Sequence, residues 1–216
     1  MLTTVAAAAL ALTLQPSADP NARPRNDDVP PPMTVNVYAA RGVSPHLVTE
    51  TLTEAGAVWN DVGITLAWRV VVDGEPQYTA TPHVVIADET AQGAGRNQTP
   101  LGWVRFKHPD DPDQEIHISR KNGMQLLQSY AGLGRPVERM PPSEVEANLG
   151  RVLGRALAHE LGHFLLRSAT HTTRGLMRGN HTIREFVALG RRGFEVDPAQ
   201  RAAVAARIRD MLGADT

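Results

Sequence analysis

One stretch limits what this chain can fold into. From Val145 to Arg167 there is no proline, and Leu149, Leu153, Leu157, Leu161 and Leu165 recur every four residues. That spacing lays an apolar stripe along an α-helix. Gly154, Ala158 and Gly162 make a second stripe, of small side chains. Glycine inside a helix costs up to about 1 kcal/mol relative to alanine, so this stripe predicts a second element packed close against it. Upstream, Pro141-Pro142 stops whatever precedes, and Ser143 with Glu146 three residues later reads as a capping box. A helix apolar on several sides belongs in the middle of a domain, with other elements around it.

Into this helix is set His159-Glu160-Leu161-Gly162-His163. Residues four apart share a helix face, so the two imidazoles can address one point. Two imidazoles at that spacing suit a small tetrahedral cation, zinc being the usual occupant. The glutamate of H-E-x-x-H is a base for activated water and not a ligand. A catalytic zinc takes three protein ligands and leaves one position open. His171, eight residues after His163, is the candidate third ligand. Glu185, on a short helix further on, is the alternative, and His181 a weaker one. The plain readings are a surface histidine pair, a polar loop histidine at 171 and a core methionine at Met177. Against the first, His159 and His163 lie on an apolar, glycine-laced helix.

With the following Gly175-Leu176-Met177, the stretch resembles the metzincin metalloproteases, and within them the matrixin-like group. Those proteins carry H-E-x-x-H-x-x-G-x-x-H and then a Met-turn, and the distance from His163 to Met177 suits a matrixin. Two positions depart from the pattern. The family glycine falls at Leu166, and the family's third ligand falls at Ala169, which cannot bind a metal. The expectation is a helix that runs on through Leu166 and Arg167, turns at Ser168-Ala169-Thr170, and so brings His171 back to the site.

The resemblance implies an α+β fold: a mixed twisted sheet with a backing helix, an active-site helix and a C-terminal helix. It implies a zinc metalloendopeptidase with Zn2+ on His159, His163 and His171 and Glu160 as general base. The partner is then a protein or peptide substrate, laid along one of the strands 101–106 and 115–119. Met177 becomes an apolar floor below the metal, and Tyr130 a candidate transition-state hydrogen-bond donor. Two other readings stay open: a gluzincin-like peptidase with Glu185 as third ligand, and a non-catalytic secreted module whose zinc is structural. A deformylase-like hydrolase is disfavoured, because that metal site includes a cysteine and this chain has none.

The absence of cysteine also excludes disulfides, a cysteine nucleophile and latency through a cysteine switch. A net charge of -1 gives no reason to expect a nucleic-acid partner. Oligomeric state is not legible. Residues 1–18 read as a signal peptide, with the apolar run Val5 to Leu14 as its core, which makes the chain secreted or periplasmic. That run is too short for a permanent membrane span. Residues 19–33 read as a disordered linker rich in proline and aspartate, and 34–216 as the catalytic domain, a length that suits one core.

Within that domain Val35, Val37 and Ala39 alternate as a strand. Ser44-Pro45 opens a helix to about Asn60, with Leu47, Val48, Leu52, Ala55 and Val58 as its apolar side. Ile64 to Val72 and Pro82 to Ala87 read as strands, and Ala91 to Pro100 as a loop. Asp110, Asp111 and Asp113 read as a solvated turn, with a calcium site as the lesser alternative. Met124 to Tyr130 reads as a short helix, in a segment from Lys121 to Met140 that walls the cleft. Ile183 to Leu189 is a further short helix. Asp197-Pro198 caps the last one, whose buried side is Ala202, Val204, Ala205, Ile208 and Leu212.

Overall fold

In the computed structural model, which describes residues 29–71, 81–89 and 100–213, a five-stranded mixed sheet carries the helices. The signal-like run, most of the linker and the loop at 91–99 lie outside the described residues. Strands β1 (Met33–Ala39), β2 (Leu66–Val71), β3 (His83–Ala87) and β5 (Asp111–Ser119) run parallel, and β4 (Gly102–His108) is antiparallel beside β5. The order is β2-β1-β3-β5-β4, which puts β2 and β4 at the edges. Val35 and Val37 alternate inward as their pattern predicts, and with Val84, Ile86, Ile116 and Ile118 they are buried. The fold class is α+β as expected.

Helix α1 (Pro45–Asn60) makes the crossover that parallel β1 and β2 require. Ser44 caps it by accepting the Leu47 N–H at 3.0 Å, and Pro45 fills the first helical position. The central helix α3 (Pro142–Leu166) touches α1, β4, β5 and α2 (Arg120–Gln128). It also touches α4 (Ile183–Val187) and α5 (Pro198–Gly213). All five leucines of its stripe are buried, each stabilising the fold by about 1.5–3 kcal/mol at most. The small residues serve two neighbours. A Cβ at Gly150 or Gly154 would run into Glu50, Thr51 and Glu54 of α1, whereas one at Gly162 would strike the sulfur of Met177.

Several local expectations give way to longer-range partners. There is no capping box at Ser143: the helix starts at Pro142, with Pro141 as an N-cap without a side-chain bond. Glu146 instead accepts a hydrogen bond from the Ser44 hydroxyl at 2.6 Å, tying the starts of α1 and α3 together. The acidic run is part of a β4–β5 hairpin longer than the sequence suggests, in which Asp113 pairs with Lys107 at 2.9 Å. Helix α2 begins directly after β5, with Ser119 as its cap. In α5, Val204, Ala205 and Ile208 face the core as expected, but Ala202 is exposed and Leu212 half-buried. No helix among the described residues is long and apolar enough to cross a membrane.

Candidate metal centre

Helix α3 supplies two imidazoles one turn apart, and their Nε2 atoms lie 3.0 Å from each other. The chain then turns, and His171 brings its own Nε2 to 3.3 Å from that of His163. Among the described residues these three histidines form the one cluster able to hold a metal ion. Two carbonyls fix the rings. His159 donates from Nδ1 to the Leu176 oxygen at 2.8 Å, and His163 from Nδ1 to the Ser168 oxygen at 2.6 Å. A carbonyl oxygen only accepts, so Nδ1 carries the proton and Nε2 of each neutral ring is a bare lone pair. Burial pushes His159 down to about 3 and lowers His163 as well, so both rings are uncharged at neutral pH. Bare lone pairs this close repel unless a cation lies among them. A tetrahedral zinc with bonds of about 2.0–2.1 Å holds its nitrogen ligands about 3.3 Å apart, so the donor set fits zinc.

The route to His171 differs from expectation. Helix α3 stops at Leu166, and Arg167 takes the left-handed conformation (φ 50, ψ 44), the one non-glycine to do so among the described residues. The Ser168 N–H bonds to the His163 carbonyl at 3.2 Å and the Arg167 N–H to the Phe164 carbonyl at 3.3 Å. This pairing is the Schellman stop that a glycine usually makes. Arg167 holds it from outside by donating from Nε to the Asp110 carbonyl at 2.6 Å, at the tip of the β4–β5 hairpin.

Beyond the turn, Gly175 is left-handed (φ 71), and a Cβ there would lie 2.5 Å from the Glu195 carbonyl oxygen. Leu176 donates to that same oxygen at 2.8 Å, and Thr172 to the Met177 carbonyl at 2.8 Å. The loop is thereby anchored with Met177 buried against Gly162.

Glu160 sits beside the triad and accepts the backbone N–H of Val104 on β4. The strand comes this close because residue 102 is glycine: a Cβ there would lie 2.9 Å from Cγ of Glu160. Part of Glu160 opens on the cleft, but its dense surroundings push the carboxyl up to about 8, outweighing the Val104 hydrogen bond. A cation at the histidines acts in the opposite direction.

Triad and glutamate form the floor of a cleft of about 1000 Å³. Gly102, Trp103, Val104 and Phe106 of edge strand β4 make one wall, and residues of the 169–181 segment make the other. Of the two strands considered for the cleft edge, β4 is the one with a free edge.

The other candidates do not join the triad. The Glu185 carboxylate is taken up by Arg178 at 2.6 Å and the Thr182 N–H at 2.7 Å. Those bonds, Arg178 first, pull it down to about 2; with its carboxylate committed to them, Glu185 lies outside the group formed by His159, His163 and His171, which disfavours the gluzincin-like alternative. His181 has both ring nitrogens engaged, accepting from Arg178 at 3.1 Å and donating to the Leu176 carbonyl at 3.2 Å. Tyr130 lies over Gly132, and nothing from 121–140 lines the cleft, so neither serves the role expected of it. His117 stacks on Trp103 at 4.9 Å and pairs with Glu115 at 2.6 Å.

Three contributors were not singled out in the sequence. Gly102 admits β4 to Glu160, and Gly179 lies under the His171 ring, where a Cβ would be 3.0 Å from Cγ. Arg155 is fully buried on α3. It donates to Glu54 at 2.7 Å and to the carbonyls of Glu185, Phe186, Ala188 and Gly190, fastening the α4 segment to the helix. A lone arginine between Leu153 and Leu157 was the signal available.

No family model matches the sequence, and no curated protein matches it. Solved structures do. The archaemetzincin of Methanopyrus kandleri is 13% identical, with a TM-score of 0.52 over 86% of this chain and 98% of its own. Metalloproteinase-II of Bacteroides fragilis is 11% identical, with a TM-score of 0.48 over 84% of this chain and 54% of its own. The likeness to the archaemetzincin is one of fold, and it extends over nearly the whole of that chain.

Proposed function

We propose that this chain is a zinc-dependent peptidase that hydrolyses peptide bonds in protein or peptide substrates, with Glu160 as its general base. The observation that carries this reading is the convergence of three Nε2 atoms, two of them bare lone pairs, beside a carboxyl, in a cleft bordered by a free strand edge. His159, His163 and His171 would hold the ion. Bound zinc supplies Lewis acidity, which activates water near neutral pH and polarises a carbonyl.

The chain's own residues do the rest. The outer edge of β4 offers backbone groups to an extended peptide, which fixes its register as an added strand. Glu160 takes the proton of the attacking water on its carboxylate and returns it to the departing amine nitrogen. Leu176 and Ser168, through their carbonyls, keep two of the three imidazoles aimed. The matrixin-like pattern and the Met-turn at Met177 support an endopeptidase, since a cleft open along a strand edge suits the interior of a chain. Export, with residues 34–216 as the catalytic unit, rests on the Val5–Leu14 run.

The test is Glu160→Ala in the full-length chain. The variant should retain its zinc and lose hydrolysis of a peptide library by roughly 10²–10⁴-fold, the range for a general base. Cleavage at the wild-type rate would remove Glu160 from the mechanism. A wild-type chain that holds zinc and cleaves nothing would favour the structural-zinc module.

A further inference from the structure

His181 stands beside the triad without joining it, its ring centroid 6.3 Å from that of His159, and Glu185 is linked to it through Arg178, in a chain of hydrogen bonds that ends on a proposed metal ligand. The Glu185 carboxylate accepts from Arg178 at 2.6 Å. The same guanidinium nitrogen donates to Nδ1 of His181 at 3.1 Å. An arginine nitrogen can only donate, so Nδ1 of His181 carries no proton and the ring's N–H is at Nε2. That N–H donates to the Leu176 carbonyl at 3.2 Å, the oxygen that also receives Nδ1–H of His159 at 2.8 Å. The carbonyl has two lone pairs, and one goes to each ring.

The His181 ring is itself held. It stacks on buried Phe194 with centroids 4.2 Å apart and planes within 10°. Arg155 lies over the same Phe194 ring at 5.0 Å, so the stack is fastened to α3. Packing by itself needs only a flat ring at this position. The two aligned hydrogen bonds need an imidazole with a defined tautomer, which Arg178 imposes.

We infer that His181, set by Arg178 and Glu185, is a positioning residue that fixes the Leu176 carbonyl and, through it, the ring of metal ligand His159. The inference rests on the triad being a metal site. Partners that orient a ligating histidine are worth roughly 10–100-fold in metal affinity. Losing the His181 donor frees the Leu176 peptide to tilt, and the His159 ring tilts with it.

The experiment is Co2+ binding, with Zn2+ binding by chelator competition, on the metal-free full-length chain and two variants. His181→Phe keeps the stack on Phe194 and removes both hydrogen bonds. His181→Gln can still donate to Leu176 from its amide nitrogen and accept from Arg178 on its oxygen. The expected result is a roughly 10–100-fold weaker affinity for the Phe variant. Its metal-free unfolding midpoint should stay close to wild type, with much of the affinity restored in Gln. Wild-type affinity in the Phe variant overturns the inference. So does an equal loss in both variants accompanied by lower metal-free midpoints, which marks a packing role. If wild type itself binds neither metal, the centre and this inference fall together. If the variants behave as expected and wild type cleaves no peptide, the inference stands and the peptidase reading fails.

Discussion

Glu160 faces opposite demands with and without a cation. In the metal-free fold its carboxyl holds a proton up to about pH 8, whereas an ordinary glutamate releases it near 4.5. The native state therefore binds more protons than the unfolded chain between those values, and stability falls as pH rises from 4.5 through 8. His159 and His163 act the other way at lower pH. Their native rings stay neutral while unfolded rings protonate below 6.5, so they cost stability as pH falls from 6.5, for His159 down to about 3. Above 6.5 the glutamate effect stands clear of these histidines. At about 1.4 kcal/mol per pH unit, metal-free wild type should lose about 2 kcal/mol between pH 6.5 and 9 that a metal-free Glu160→Gln variant keeps. Urea unfolding at the two pH values measures the difference, and parallel losses would mean that the carboxyl is not desolvated. Zinc should flatten the wild-type slope, because a nearby cation favours the carboxylate.

At the scale of elements, α3 is held by contacts that local sequence cannot announce. Its length and its leucine face were legible, because an uninterrupted four-residue repeat has one good solution. Its two ends were not. At the start, Ser143 and Glu146 have capping-box spacing, yet Glu146 goes to Ser44, which lies far away in sequence. At the end, an arginine takes a backbone conformation that arginine disfavours, closed by backbone hydrogen bonds while its side chain donates to the Asp110 carbonyl. The convergence of His159 and His163 was readable from their spacing and that of His171 from its ligand chemistry, but the left-handed stop at Arg167 that turns the chain towards His171 was not. A direct consequence concerns Arg167. Ala and Gly variants lose the same side-chain bond, but only Gly relieves the left-handed strain. Arg167→Gly should therefore be more stable than Arg167→Ala by about 1 kcal/mol, as read from denaturation midpoints, and the reverse order would refute the strained stop. Arg155 is a larger matter. Arg155→Met would leave half-buried Glu54 with Arg191 as its one cationic partner and would unpair carbonyls of the α4 segment. The cost should be about 1–3 kcal/mol, and a Met variant of near wild-type stability would show the cluster to be replaceable by packing.

For the whole molecule, the triad lies where independent parts of the chain meet. Two of its histidines come from the helix that touches both sheet and helices, and the third from an exposed turn beyond it. That turn leads into Leu176, whose N–H bonds to Glu195 just ahead of α5, and α5 returns to α3. Buried side chains from Met33 to Ile208 form one core cluster, so a bond across the triad should stabilise the fold against global unfolding and not merely order a loop. Zinc held at 1,000 times its Kd would add about 4.1 kcal/mol. For a domain of this size each kcal/mol shifts Tm by about 2–4 °C, so a chelator should lower the Tm of wild type by roughly 10 °C. The same shift is expected for Glu160→Ala, which keeps all three ligands, whereas His171→Ala should lose most of it while its chelated form melts close to chelated wild type. That combination separates a metal that fastens the exposed turn to α3 from one that merely adheres to two histidines. A chelator that leaves wild-type Tm unchanged under metal-replete conditions would mean that the native chain does not use the site it has built.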